Sequence, residues 1–120
     1  MRLHHLAFRT GGVDALAEFY GGLFGWRVVR DRRPASLWLA VNEDAVAMIE
    51  RRDADEPAPA PGSLDLVAFA VTASERERVR AEAERRGCFD GGTDDTVYLR
   101  DPDGRRIAVS TYPLAAAGDG

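Results

Sequence analysis

A single thiol, Cys88, and two neighbouring histidines, His4 and His5, are the side chains best suited to chemistry near neutral pH. One cysteine cannot form an intrachain disulfide or a cysteine-based zinc cluster, and it fits a reducing compartment. Nothing beside Cys88 in sequence would lower its pKa, so the thiol does not read as a nucleophile. The arginines form two dense runs, Arg30–Arg33 and Arg76–Arg86, but both are interleaved with Asp or Glu. Mixed charge of that kind reads as a solvated face. With a net charge of -4 and no basic stripe, the chain lacks the surface that displaces counterions from nucleic acid.

The elements that must position these groups come in a repeated order. In Leu3–Thr10, Leu6 and Phe8 fall on one face and His5, Ala7 and Arg9 on the other, the alternation of a strand. His4 then points away from His5 and reads as a structural or surface residue. After Gly11-Gly12, the spacing of Leu16, Phe19, Tyr20, Leu23 and Phe24 predicts a helix with one buried stripe. Gly21 and Gly22 weaken its last turn, and Gly25 is suited to cap it. Trp26 is expected to pack against the helix exit. Three strands follow, Trp26–Asp31, Ser36–Val41 and Ala45–Arg51, with Asn42–Asp44 turning between the last two.

A proline-rich segment, Asp53–Gly62, separates this module from a second with the same order. Pro57, Pro59 and Pro61 deny a ladder its donors and favour extended chain. Leu64–Thr72 predicts a strand with Val67, Phe69 and Val71 on one face. Ser74 and Glu77 read as a capping box opening a helix to about Arg86, before Gly87. Cys88–Phe89 starts a short strand, and Thr96–Arg100 and Arg105–Tyr112 are stronger ones. Asp101-Pro102-Asp103-Gly104 joins them as a tight turn. The expected class is α+β, two βαβββ modules over residues 1–52 and 63–113, with a linker at 53–62 and a loose tail at 114–120. His5-Leu-Ala-Phe aligns with Leu66-Val-Ala-Phe, matching Phe8 to Phe69.

At 120 residues, 45% hydrophobic and 30% charged, the composition is that of an ordinary soluble domain. No run approaches the ~20 apolar residues of a membrane span, and the first residues lack the apolar core of a signal peptide. The expectation is a cytoplasmic protein with no membrane and no nucleic-acid partner.

Several motifs carry a family resemblance. They are His5-Leu6-Ala7-Phe8, Phe19-Tyr20, Leu23-Phe24-Gly25-Trp26, Met48-Ile49-Glu50, and Tyr98-Leu99-Arg100-Asp101-Pro102-Asp103-Gly104. In this order, over about residues 2–112, they resemble the vicinal oxygen chelate superfamily. That superfamily includes glyoxalase I, extradiol dioxygenases, fosfomycin resistance enzymes and bleomycin-binding proteins. The resemblance implies a glyoxalase/bleomycin resistance-like fold, with mixed sheets curled around a cup that is often completed in a homodimer. It also implies, in metal-using members, a divalent ion such as Zn, Ni, Mn or Fe, held by His or Glu on the first and fourth strands of each module. The ion acts there as a Lewis acid on a ligand with two adjacent oxygens.

Carried over by position, His5 and Glu50 match the first module's ligands, whereas Leu66 and Ala108 stand at the second module's places. Aliphatic side chains cannot coordinate a metal. Asp65 is one residue out of phase, and Ser110 offers only a neutral hydroxyl. The expectation is a site without the usual metal; if one binds, His5 and Glu50 are its ligands. Those two residues otherwise bond to each other across the sheet, contact a ligand, or act as an acid–base pair in which Glu50 orients the His5 tautomer. By strand parity, Arg9, Trp38, Met48, Tyr98, Arg100, Arg106 and Ser110 are the further candidates to line a pocket. Such a pocket is aromatic and partly cationic, suited to a flat or acidic compound. The resulting expectation is a small-molecule-binding protein of the sequestering or resistance type. The alternative is a glyoxalase-like lyase, a dioxygenase or a metal-free isomerase that uses His5 and Glu50.

Overall fold

A computed structural model describes residues 1–114. The chain divides into two compact units, the first ending at Pro59 and the second beginning at Ala60. In the first, β1 (His5–Thr10) leads into α1 (Val13–Phe24), then β2 (Arg27–Arg32), β3 (Ser36–Ala40) and β4 (Val46–Arg51). In the second, β5 (Leu66–Ala70) leads into α2 (Ala73–Arg86), then β6 (Phe89–Gly92), β7 (Thr96–Arg100) and β8 (Arg106–Ser110). The strand orders are β1-β4-β3-β2 and β5-β8-β7-β6, the same topology twice. In each, the first and fourth strands run parallel and the rest of the sheet is antiparallel. The α+β class and the twofold βαβββ order read from the sequence are both present. The tail expected at 114–120 lies, apart from Leu114, outside the described residues.

Each sheet buries one face under its helix. In the first unit Phe8, Leu37, Leu39, Ala47 and Ile49 pack against the Leu16, Phe19, Tyr20 and Leu23 stripe of α1. Tyr20 is fully buried and stacks on Phe8 at 5.4 Å and on Trp26 at 5.2 Å, so Trp26 closes the helix exit as its position suggested. α1 runs unbroken through Gly21, where a Cβ would lie 3.2 Å from the Trp26 carbonyl oxygen. The bare backbone there lets the chain turn back under the helix. Gly25 takes the left-handed cap at φ 77, which a side chain would strain.

In the second unit Val79 and Ala83 of α2 cover Val97, Leu99, Ile107 and Val109. The helix is capped by Thr72 and Glu75, not by Ser74 and Glu77 as the sequence suggested. Thr72 Oγ1 accepts the Glu75 amide at 3.1 Å, and the Glu75 carboxylate accepts the Thr72 amide at 3.1 Å. Both pairs have capping-box spacing. The earlier one wins because β5 ends at Ala70 and the helix begins at Ala73, placing Ser74 already inside it.

The turn after β7 is built around Asp101, whose side chain is fully buried. Its Oδ1 accepts the amides of Asp103 and Arg105 at 2.9 and 3.0 Å, and Arg105 Nη1 donates to Oδ2 at 3.1 Å. Gly104, at φ 86, donates its amide to the Asp101 carbonyl at 2.8 Å. The tetrapeptide is the tight turn its sequence predicted, with Asp101 as its hub.

Candidate functional site

Because partners in a ladder share a face, the register states which side chains stand on the face of each sheet that α1 or α2 leaves uncovered. In the first unit these are His5, Ala7 and Arg9 on β1, with Val46, Met48 and Glu50 opposite them on β4. Ser36, Trp38 and Ala40 of β3 continue the face. In the second unit it carries Leu66, Ala68 and Ala70, then Arg106, Ala108 and Ser110, then Thr96, Tyr98 and Arg100. The pocket-lining candidates named from the sequence, Trp38 among them, stand on one or other of these faces.

The register also separates residues the sequence had grouped. His5 pairs with Val46 and Glu50 with Arg9, so His5 and Glu50 stand at opposite ends of the β1–β4 pair. Four residues of strand put them about 13 Å apart along the sheet. They do not bond to each other, and Glu50 cannot orient the His5 ring. His5 Nδ1 instead lies 2.9 Å from His4 Nδ1, with the two rings edge-on and both residues exposed. Glu50 faces Arg9, 3.6 Å from Nη1.

The fourth-strand positions need a correction of the same kind. Ala7 pairs with Met48 and Ala68 with Ala108, while Arg9 pairs with Glu50 and Ala70 with Ser110. The partner of Ala108 in the internal repeat is therefore Met48, and that of Glu50 is Ser110. At the Ala108 level the first unit offers a thioether and the second a methyl group. At the Glu50 level the second unit offers a hydroxyl already engaged, Ser110 Oγ lying 2.7 Å from Thr96 Oγ1 and accepting the Tyr112 amide at 3.0 Å. Among the described residues no group of three or more His, Cys, Asp or Glu is placed to hold a metal ion. Asp65, the alternative donor, is exposed ahead of β5.

The arginines divide into committed and uncommitted groups. Arg9 grips Glu56 with two hydrogen bonds, 2.6 Å from Nε and 2.8 Å from Nη2, and lies 4.0 Å from Asp53. The hydrogen bond from Arg9 holds the Glu56 carboxyl below the usual carboxylate range. Arg100 donates from Nε to Asp90 at 3.0 Å and from Nη1 to the carbonyls of Ser63 at 2.9 Å and Gly104 at 3.1 Å. Each ties together segments of its own unit.

Arg106 is different. Its guanidinium lies 4.1 Å from the centre of the Tyr98 ring, within the range of a cation–π contact. Its Nε is buried and without a hydrogen-bond partner, with the Asp90 carboxylate 3.6 Å away. In the first unit Arg30 sits 4.9 Å over Trp38. Trp38 pairs with Met48 and Tyr98 with Ala108, so the two aromatic rings hold equivalent places in the repeat. Arg30 and its stack were not anticipated from the sequence, because β2 and β3 meet through a bulge. Burial pushes the Cys88 thiol up from its ordinary value, which keeps it protonated near neutral pH.

Two mixed sheets of β1-β4-β3-β2 topology, each with one helix and one uncovered face, define a paired-βαβββ protein. The sequence model of the Glyoxalase/Bleomycin resistance protein/Dioxygenase superfamily matches residues 2–109, and the chain belongs to that superfamily. Solved structures agree on the fold. Trypanothione-dependent glyoxalase I of Leishmania major superposes with a TM-score of 0.77 at 17% identity, covering 99% of this chain and 93% of its own. The fosfomycin resistance protein FosX of Mesorhizobium loti gives 0.74 at 17% identity, covering 97% and 95%. A possible glyoxalase of Bacillus cereus gives 0.75 at 19% identity, covering 92% and 98%. No curated protein sequence matches the chain. No helix among the described residues is long and apolar enough to cross a membrane.

Proposed function

We propose that this chain is a small-molecule-binding member of the superfamily that works without the superfamily's divalent metal. The observation that carries the reading is the second sheet's uncovered face, which sets Leu66 at the place of His5, Ala108 at that of Met48 and Ser110 at that of Glu50. Two hydrocarbons and a hydroxyl already bonded to Thr96 supply none of the imidazole or carboxylate donors that half of the set would need. The first unit does not compensate. Met48 is a soft thioether, and Glu50 is held beside the Arg9 cation, which opposes a second positive charge.

What remains supports binding. Trp38 and Tyr98 are half-buried aromatic rings, each carrying an arginine, on faces that mix small, apolar and charged side chains. Rings give a flat ligand contact area, and guanidinium groups favour an acidic one. The acid–base alternative needs Glu50 within reach of His5, and the register places it about 13 Å away. Self-association as a homodimer and a cytoplasmic location belong to the same reading. The exposed Leu64 and Leu66 give a second copy an apolar edge to cover.

The test is elemental analysis of the untagged protein before and after incubation with zinc, nickel, manganese and iron(II), followed by a fluorescence screen of small molecules. The reading predicts no metal retained near one per chain, and saturable ligand binding without turnover. Stoichiometric metal that survives dialysis would overturn it, as would turnover lost in both His5→Ala and Glu50→Ala with folding intact.

A further inference from the structure

We infer that the uncovered face of β2, with Trp38 beside it, is a subsite for a planar aromatic molecule bearing one or two acidic groups. The inference deepens the binding reading above by naming the ligand class. It rests on a bulge. In sequence, Arg27 and Arg30 are an odd number of residues apart and a regular strand would send them to opposite faces. The β2–β3 register slips between Val28 and Arg30, and so Arg27, Arg30 and Arg32 pair with Ala40, Trp38 and Ser36 respectively. Those partners all lie on the uncovered face, and the three arginines therefore share it. A bulge that re-aims side chains in this way is a recurrent device next to binding sites.

The three guanidinium groups are also free to receive a ligand. The acidic residues of this stretch lie elsewhere: Asp31, partner of Leu37, is on the other face, where Arg33 takes it in an ion pair of 2.6 Å. Arg33 also reaches Asp14 at 3.3 Å. Among the described residues the side chains of Arg27 and Arg32 have no hydrogen-bond or ion-pair partner, and Arg30 has only the Trp38 ring. Glu50, on the same face, is two strands away from Arg32, about 10 Å, and is engaged by Arg9. Three unneutralised cations thus stand in a row on a chain whose net charge is -4.

The chemistry of the row selects the ligand. Arg30 and Arg32 are two residues apart, about 7 Å along the strand, which suits two acidic groups on one ring or one group bridging both. Each guanidinium can donate two parallel hydrogen bonds to a carboxylate or phosphate. Trp38 and its neighbour Met48 supply the apolar surface for the ring. A nucleic acid would need a longer track, since the row spans only about 13 Å and the chain carries net negative charge.

Phenyl phosphate and benzene-1,3-dicarboxylate are the probes, with benzyl alcohol as the neutral control. Binding to the full chain is read by tryptophan emission and by titration calorimetry. Trp26 is packed under α1, so a change lost in Trp38→Phe reports on this face. The expected result is saturable binding of at least one acidic probe and none of benzyl alcohol, weakened by about tenfold or more in Arg30→Gln and in Arg32→Gln. These exposed positions leave the fold intact, which circular dichroism verifies. Tighter binding of phenyl phosphate identifies phosphate as the preferred acid, and of the dicarboxylate, carboxylate; either outcome supports the subsite. No saturable binding of either acidic probe overturns it, as does affinity unchanged in both variants. Tighter binding of a single-stranded oligonucleotide than of either probe also overturns it. A neutral ligand found in the screen, with affinity indifferent to the arginines, sinks this subsite while leaving the binding function standing.

Discussion

Glu56 closes on Arg9 across 47 residues of chain, its two oxygens meeting Nε at 2.6 Å and Nη2 at 2.8 Å. Around the pair, the Arg52 amide donates to the Thr10 carbonyl at 2.8 Å and the Glu56 amide to Asp53 at 3.1 Å. The start of the proline-rich segment is thereby folded back onto β1. The contact engages an arginine of the first unit's uncovered face, on which Arg30 is stacked over Trp38.

This pairing sets a pH dependence. Because the Glu56 carboxyl is lowered in the folded protein, its contribution is fully present above the ordinary carboxylate range and is lost as pH falls through the lowered value. A carboxyl-detected NMR titration should place the Glu56 inflection below the ordinary value of about 4.3. In Arg9→Gln the inflection should return to it. An unshifted Glu56 in the unaltered protein would contradict the bidentate contact.

The helix cap distinguishes two readings of the same sequence. Thr72→Ala removes the oxygen that accepts the Glu75 amide and should cost about 0.5–2 kcal/mol in urea unfolding. Ser74→Ala, inside the first turn, should change stability by no more than about 0.5 kcal/mol. The reverse order of effects would return the cap to Ser74.

Gly92 marks a place where the backbone comes too close for any side chain. A Cβ there would lie 2.5 Å from the Thr96 carbonyl oxygen. Since that atom is backbone in the β6–β7 pair, it cannot swing aside as a side-chain tip would. Gly92→Ala should destabilise the protein by about 1–3 kcal/mol. Its effect should appear in amide exchange across β6 and β7 first.

The cores should respond as packed interiors. Ile49 and Leu99 have no exposed surface, one under each helix. Ile49→Ala and Leu99→Ala should each cost about 2–5 kcal/mol. Ile49→Val, which removes one methyl group, should cost about 0.5–1.5 kcal/mol. A loss under 1 kcal/mol for either alanine variant would show the site free to collapse.

Much of this was legible along the chain because local rules act over a few residues. The alternation of Leu6 and Phe8 with His5 and Ala7 fixed the two faces of β1. The Leu16-to-Phe24 spacing set the buried stripe of α1, and Pro57, Pro59 and Pro61 marked the break between modules. The repeat of strand, helix and strands followed from these periods alone, and the motifs along it carried the family. The faces of Trp38, Tyr98 and Arg106 became definite only with the ladders.

Relations between strands were decided by tertiary structure, since a period of two says which face a residue takes and nothing about which residue stands opposite. The β1–β4 register parted His5 from Glu50 and matched Ala108 to Met48. Ion pairs and hydrogen bonds tied Arg9 to Glu56, and Arg100 to Asp90 and the Ser63 carbonyl. The bulge at Val29 brought Arg27 onto the face of Arg30 and Arg32, reversing what alternation predicts. Each of these depends on hydrogen bonds and charges meeting across long stretches of sequence, where the energy of the whole sheet, not local propensity, selects the pairing.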